Sequence, residues 1–165
     1  MLQVALFRNM NLGQGWSPRT GAALEAAFRD AGATAVRSFQ TNGTVAFDAE
    51  GRTDEVMAAV ADSLAQLNGY ADLCVVVAMD DLAGMVATHR DSVDLHQMVT
   101  FFDPELGSVL AGIETLASGS GWVITRFDRT PADPGREVLA RIGRQATTRT
   151  FGTVVRLCRS LGIVA

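Results

Sequence analysis

An Asn-Gly pair, Asn42-Gly43, stands between two short arms of alternating apolar residues, 35–40 and 44–48. Asn-Gly tolerates the left-handed backbone that a tight turn between twisted strands requires, so the stretch SFQTNGTVAF predicts a β-hairpin. A helical stripe lies on each side of it. Leu24, Ala27, Phe28 and Ala31 share one face of a segment that Ser17 and Pro18 are placed to start and Gly32 to stop. Val56, Val60, Leu64 and Leu67 share one face of a second, with Thr53 as its cap, Asp54 and Glu55 in its first turn and Asn68-Gly69 as its stop. Apolar runs close the pattern at both ends. LQVALF (2–7) opens it as a buried strand, and LCVVVA (73–78), apolar on both faces, reads as a central strand. A short helix from about Asp80 follows, through Leu82, Met85 and Val86. The order β-α-β-β-α-β is the split β-α-β, ferredoxin-like arrangement, an antiparallel sheet with two helices on one face.

The polar stretch THRDSVDL (88–95) reads as a boundary, which sets the halves at 1–92 and 93–165. In the second half, QMVTFF (97–102) and WVITRF (122–127) read as strands and SGSG (118–121) as a turn. Asp103-Pro104 starts a helical stripe of Leu106, Leu110, Ile113 and Leu116. DRTPADPG (128–135) reads as a loop, and two helices close the chain near 136–143 and 150–161. The fold class expected is α+β, with two ferredoxin-like halves, the second a reduced β-α-β-α-α copy with C-terminal helices.

Composition narrows the chemistry. No apolar run approaches the length of a membrane span, and the first residues carry no basic leader before an apolar stretch, so the cytoplasm is the expected location and no membrane partner is expected. Cys74 and Cys158 sit in apolar stretches and read as small buried hydrophobes. His89 and His96 have no carboxylate or cysteine at ligand spacing, so neither a metal nor another cofactor is expected. All 14 basic residues are arginine, which excludes a Schiff-base lysine, a lysine general base and a phosphate-loop lysine. Residues 135–165 hold six arginines against Glu137 alone, a net of +5, while the remaining residues carry −9 for a total of −4. Such an end suits an anion or the acidic half of the same chain. With a pI near 5.1 and no interleaved aromatic residues at the basic end, nucleic acid is not the expected partner.

Two stretches carry candidate binding residues. The loop RNMNLGQGW leads from a strand toward a helix N-terminus, where backbone N–H groups and the helix dipole favour anions, although Gly13-Gln14-Gly15 lacks the third glycine of a dinucleotide fingerprint. A plain β-α connection with a glycine-assisted turn is the simpler explanation. In ATTRTFGTVVRLCRSLG (146–162), Thr147, Thr148, Arg149 and Thr150 gather at a helix start, a setting for phosphate or carboxylate and also for a simple threonine cap. No serine lies in a G-x-S-x-G context, and Asp80-Asp81 reads as helix capping, so no catalytic residue is expected.

VALFRNMNLGQG, the spacing to AGATAVRSFQTNGTVAF, and TTRTFGTVVRL together resemble the bacterial Domain of Unknown Function 1697 family. That family opens R-G-I-N-x-G-G, continues V-R-T-x-x-x-S-G-N-x-x-F and ends T-x-R-N-W-x-T-V-x-K-L. The resemblance sets Arg8, Asn11 and Gly13 on the first motif, Val36, Arg37, Gly43 and Phe47 on the second, and Thr148, Arg149, Thr153 and Val154 on the last. Asn9, Gln14, Thr44, Thr150, Phe151 and Arg156 depart from it. It implies two ferredoxin-like halves and no established biochemical role. The combined reading is a non-catalytic binding module for a small anionic or phosphate-bearing ligand, with Arg8, Asn11, Gly13, the tip Thr41, Asn42, Gly43 and Thr44, and Thr148 and Arg149 as its candidate contacts. The alternative is a structural or protein-interaction domain that forms a homodimer through a sheet edge.

Overall fold

Phe28, from the first helical stripe, and Phe47, from the hairpin, are fully buried with ring centroids 5.0 Å apart. Phe7 meets Phe28 edge-on at 6.1 Å and Tyr70 at 5.7 Å, which extends the aromatic contact along the sheet. Around these rings, in the computed structural model of the chain, β1 (Leu2–Phe7), β2 (Thr34–Phe39), β3 (Thr44–Asp48) and β4 (Cys74–Ala78) pair in the order β2-β3-β1-β4. Helices α1 (Gly21–Asp30) and α2 (Thr53–Asn68) bury Leu24, Phe28, Val56, Val60 and Leu64 against Ala5, Phe7, Val45 and Phe47. Every pairing is antiparallel, as a split β-α-β requires. The structure describes residues 1–128, 130 and 133–163, and its contacts divide the chain into two compact units, Met1–Asp80 and Asp81–Ala165. Each is described by itself.

Local chemistry moves some of the expected boundaries. Thr20, not Ser17, caps α1 by accepting from the Ala23 N–H at 3.2 Å. Ser17 is occupied elsewhere, its hydroxyl accepting the Asn11 N–H at 3.0 Å, and Gly13 N–H bonds the Pro18 carbonyl at 2.9 Å. The chain therefore completes a compact turn before the helix can start. Thr53 is the first residue of α2 and not its cap, since its hydroxyl bonds the Gln3 side chain at 2.8 Å. Gly69 does stop α2, at φ +71° with its N–H on the Ala65 carbonyl.

The hairpin joins β2 and β3 as expected, but Phe39 faces Thr44, so the loop is the four residues 40–43. Positive φ falls on Gln40 (57°) and Gly43 (63°), not on Asn42. The strand β4 lies at the edge of the sheet, beside β1 alone, although its apolar sequence reads as central. Its residues are half-buried on both faces.

The second unit repeats the strand order. After α3 (Met79–His89), which begins just before the unit boundary, come β5 (Met98–Phe102), β6 (Ala117–Gly119), β7 (Trp122–Thr125) and β8 (Ala146–Thr150), in the order β6-β7-β5-β8. A 3₁₀ segment, Pro104–Leu110, stands where the first unit has α1, and Asp103 caps it as expected. Helix α4 (Pro134–Ile142) packs Val138 and Ile142 against Phe102, Val123 and Ala146, and α5 (Phe151–Ser160) follows β8 directly. The helix near 136–143 thus starts earlier, on Asp133-Pro134, where the Asp133 carboxylate accepts the Gly135 N–H at 2.8 Å. Of the expected loop 128–135, Arg129, Pro131 and Ala132 lie outside the described residues. Strands β6 and β8 stand where a turn and a helix start were expected. Leu116, expected in the buried stripe, is exposed.

Gly43 sits where the hairpin tip is closely approached by the loop after β1. A Cβ there would lie 2.6 Å from Met10 Cβ and 2.9 Å from Phe7 Cβ. Gly51 shares the left-handed backbone (φ +86°), but a Cβ there would meet nothing within 4 Å. Gly51→Ala is expected to cost about 1–2 kcal/mol from backbone strain. Gly43→Ala adds about 1–3 kcal/mol of overpacking to that. Urea midpoints of the two variants check this, and equal losses would show that close approach does not limit the tip.

Candidate functional site

The loop that follows β1 is tied down at every turn. Arg8 Nη1 reaches both oxygens of Asp72, at 2.9 and 3.2 Å, and Asn9 Nδ2 donates to the same carboxylate at 3.0 Å. The Arg8 carbonyl accepts the Tyr70 hydroxyl at 2.6 Å, and the Arg8 N–H bonds the Leu73 carbonyl at 2.8 Å. Asp72 is half-buried, and burial alone raises its pKa. The Leu73 N–H, the Asn9 amide and the Arg8 guanidinium outweigh that and hold it below the usual carboxylate range. Arg8 therefore has an answered charge, and its side chain joins the loop to the entry of β4.

The other first-unit candidates gather beside this knot. Leu12 N–H bonds the Thr41 carbonyl and Phe7 N–H bonds the Gly43 carbonyl, both at 2.8 Å, so the loop and the hairpin tip are one assembly. Within it Asn11 is exposed, Gly13 turns the chain at φ +81°, and Thr41 is exposed at the tip. The Asn42 side-chain oxygen accepts the Thr44 hydroxyl at 2.9 Å, and Thr44 itself is buried. The polar tip residues thus serve the turn, and the family positions Arg8, Asn11, Gly13 and Gly43 mark where the chain crosses itself.

Thr148 and Arg149 lie on β8 of the second unit, three and two residues before the start of α5. Arg149 is buried, and its Nη1 donates to the Thr147 hydroxyl at 3.0 Å and to the Thr148 carbonyl at 2.7 Å. Thr150 caps α5, its hydroxyl accepting the Thr153 N–H at 3.2 Å and lying 2.9 Å from Thr153 Oγ1. Arg156, exposed on the first turns of α5, donates to Thr153 Oγ1 at 3.2 Å. Sequence reading brought the threonines together at a helix start but did not place Thr147 and Thr148 on a strand, and it missed the link through Thr153 to Arg156. The i, i+3 spacing of Thr150, Thr153 and Arg156 was the available signal.

Of the two thiols, Cys158 is the buried one. Burial pushes the Cys158 thiol up to about 11, so it is protonated at neutral pH. His89 lies edge-on to Trp122 at 6.1 Å. Among the described residues no three His, Cys, Asp or Glu side chains gather to hold a metal ion.

The ionised Asp72 stabilises the native unit above the ordinary aspartate pKa of about 3.9, and that contribution is lost as pH falls through its lower native value. Asp72→Asn is expected to cost about 1–3 kcal/mol near pH 7, where it leaves Arg8 unanswered. The gap to the unaltered chain should narrow as pH falls below the ordinary aspartate pKa and close once Asp72 is protonated in the native unit. Urea midpoints across pH check this, and a gap independent of pH would remove Asp72 from the acid sensitivity.

Comparison with known proteins agrees with this architecture. No curated protein matches the sequence. Among solved structures, the conserved bacterial protein SP0830 from Streptococcus pneumoniae superposes with a TM-score of 0.73 at 15% identity, covering 97% of this chain and 98% of that one. At that identity the likeness speaks for the fold. No helix among the described residues is long and apolar enough to cross a membrane. The family model for proteins of unknown function DUF1697 matches residues 1–125, and the chain belongs to that family.

Proposed function

We propose that the protein is a non-catalytic binding module for a small anionic or phosphate-bearing ligand, which the second unit takes at the junction of β8 and α5. The observation that carries this reading is the unanswered charge of Arg156. Arg8, Arg29, Arg126 and Arg141 each meet a carboxylate within 3.3 Å, whereas Arg156 is held in place by the neutral Thr153 hydroxyl. No carboxylate pairs with it among the described residues. A guanidinium positioned by a hydroxyl near a helix N-terminus keeps both its charge and its donor geometry for an incoming anion. Thr148 adds a hydroxyl on the strand just before the helix, and the buried Arg149, bonded to the Thr147 hydroxyl and the Thr148 carbonyl, steadies that strand. In this reading the first-unit residues Arg8, Asn11, Gly13 and Thr41 to Thr44 support their own loop assembly, and the anion is met elsewhere.

Inorganic phosphate, compared with sodium chloride at equal ionic strength, tests the reading by thermal shift. Phosphate at ten times its Kd adds about 1.4 kcal/mol. For a chain of this size that is a rise in Tm of roughly 3–6 °C. Arg156→Gln should abolish the rise, while Arg8→Gln should lower the starting Tm and leave the rise intact. No rise, or a rise that survives Arg156→Gln, would overturn the proposal.

A further inference from the structure

We propose that the first unit takes an extended apolar peptide segment with basic flanks, from another protein, as a fifth strand beside β4. This stands on observations separate from the β8–α5 junction. An open groove of about 540 Å³ runs between α2 and β4, with Ala58, Ala61 and Ala65 on the helix side and Cys74 and Val76 on the strand side. The small side chains on this face of α2 leave the space beside the sheet edge unfilled, so the groove has room for side chains of an added strand.

The edge beside this groove is a pairing template. Arg8 N–H bonds the Leu73 carbonyl, and the register pairs Leu6 with Val75 and Val4 with Val77. Antiparallel ladders bond alternate pairs, so the backbone groups of Cys74, Val76 and Ala78 turn away from β1. Among the described residues, no hydrogen bond outside the β1 ladder takes the Val76 N–H or carbonyl. The strand CVVVA also lacks the charge, proline or bulge by which natural edges block pairing. These backbone groups distinguish a strand from a compact apolar molecule as the occupant.

Charge selects the partner. Asp62 and Asp72 line the groove and no arginine does, while α2 carries Asp54, Glu55 and Asp62 and no basic residue. Asp72 is answered by Arg8, Asp62 has no ion-pair partner among the described residues, and Asp80 and Asp81 follow Met79 beyond the end of β4. A second copy paired antiparallel about Val76 would set Asp72 of one chain against Asp80 of the other. Basic flanks on a foreign strand meet the same acids favourably. Trp16, 72% exposed, packs on Gly69 at the end of α2, next to Tyr70 of the groove lining. An exposed tryptophan there offers the kind of anchor that dominates protein interfaces.

The probe is the capped peptide acetyl-Lys-Val-Thr-Val-Thr-Val-Arg-amide, titrated into the ¹⁵N-labelled full chain. Expected amide shifts concentrate on residues 74–78 and on the Ala58–Ala65 face of α2, and the bound peptide slows alkylation of Cys74. N-methylation of alternate peptide residues, or glutamate in place of both basic ends, should weaken binding at least tenfold. Ala61→Arg, at an exposed helix position that leaves the melting temperature unchanged, should do the same. Shifts elsewhere or none, equal binding of the N-methylated peptide, or equal binding of the glutamate-ended peptide would overturn the proposal. So would a dimer of the free chain in sedimentation whose interface is β4, because the occupant would then be a second copy.

Discussion

Each sheet has two inner strands hydrogen-bonded on both sides, and the fold depends on the one that also carries the last strand, β1 in the first unit and β5 in the second. In the first unit β1 divides its backbone by parity, with Phe7 bonding toward the hairpin and Arg8 toward β4. The same alternation that supplies two sets of hydrogen bonds turns Ala5 and Phe7 toward the aromatic core. A shift of one residue would exchange both the pairings and the buried face, so the register is held by backbone and side chains together. The assembly of Arg8, Asn9, Asp72 and Tyr70 acts at the end of that strand, where the chain leaves the sheet and the ladder can no longer hold it.

The first unit was legible because its signals are local. Helical stripes of Leu24 and Phe28 and of Val56, Val60 and Leu64, with an Asn-Gly turn between them, leave few ways to arrange the segments. The second unit was less legible because its pairing partners are poor in local signal. The strand β6 is Ala-Ser-Gly, which has no β-branched or aromatic side chain, and it forms because Trp122 to Ile124 pair with it. The strand β8 has threonines whose hydroxyls suit a cap as well as a strand, and only its pairing with β5 distinguishes the two. Its last residue does both, ending the strand and capping α5.

For the candidate site, sequence identified positions but not the partners that hold them. Arg8 looked like an anion ligand because its partner, Asp72, is 64 residues away and nothing local announces it. The polar tip looked like a site because turn residues and binding residues draw on the same amino acids. An edge strand that is apolar on both faces reads as a central one, since composition reports burial on faces and says nothing of neighbours within the sheet. That ambiguity hid the groove beside β4.

The shared strand order also dictates an order of events as the chain leaves the ribosome. The central strand of the first unit has both neighbours once β4 has appeared, by residue 78. The central strand of the second, β5, is available by residue 102 but waits for β8, at residues 146–150, to cover its other side. During that interval Val99 and Phe101 belong to an incomplete sheet with an open edge. The first unit can thus be native while the second is still a hairpin without its last strand, and the growing chain is most exposed to wrong pairing in its second half.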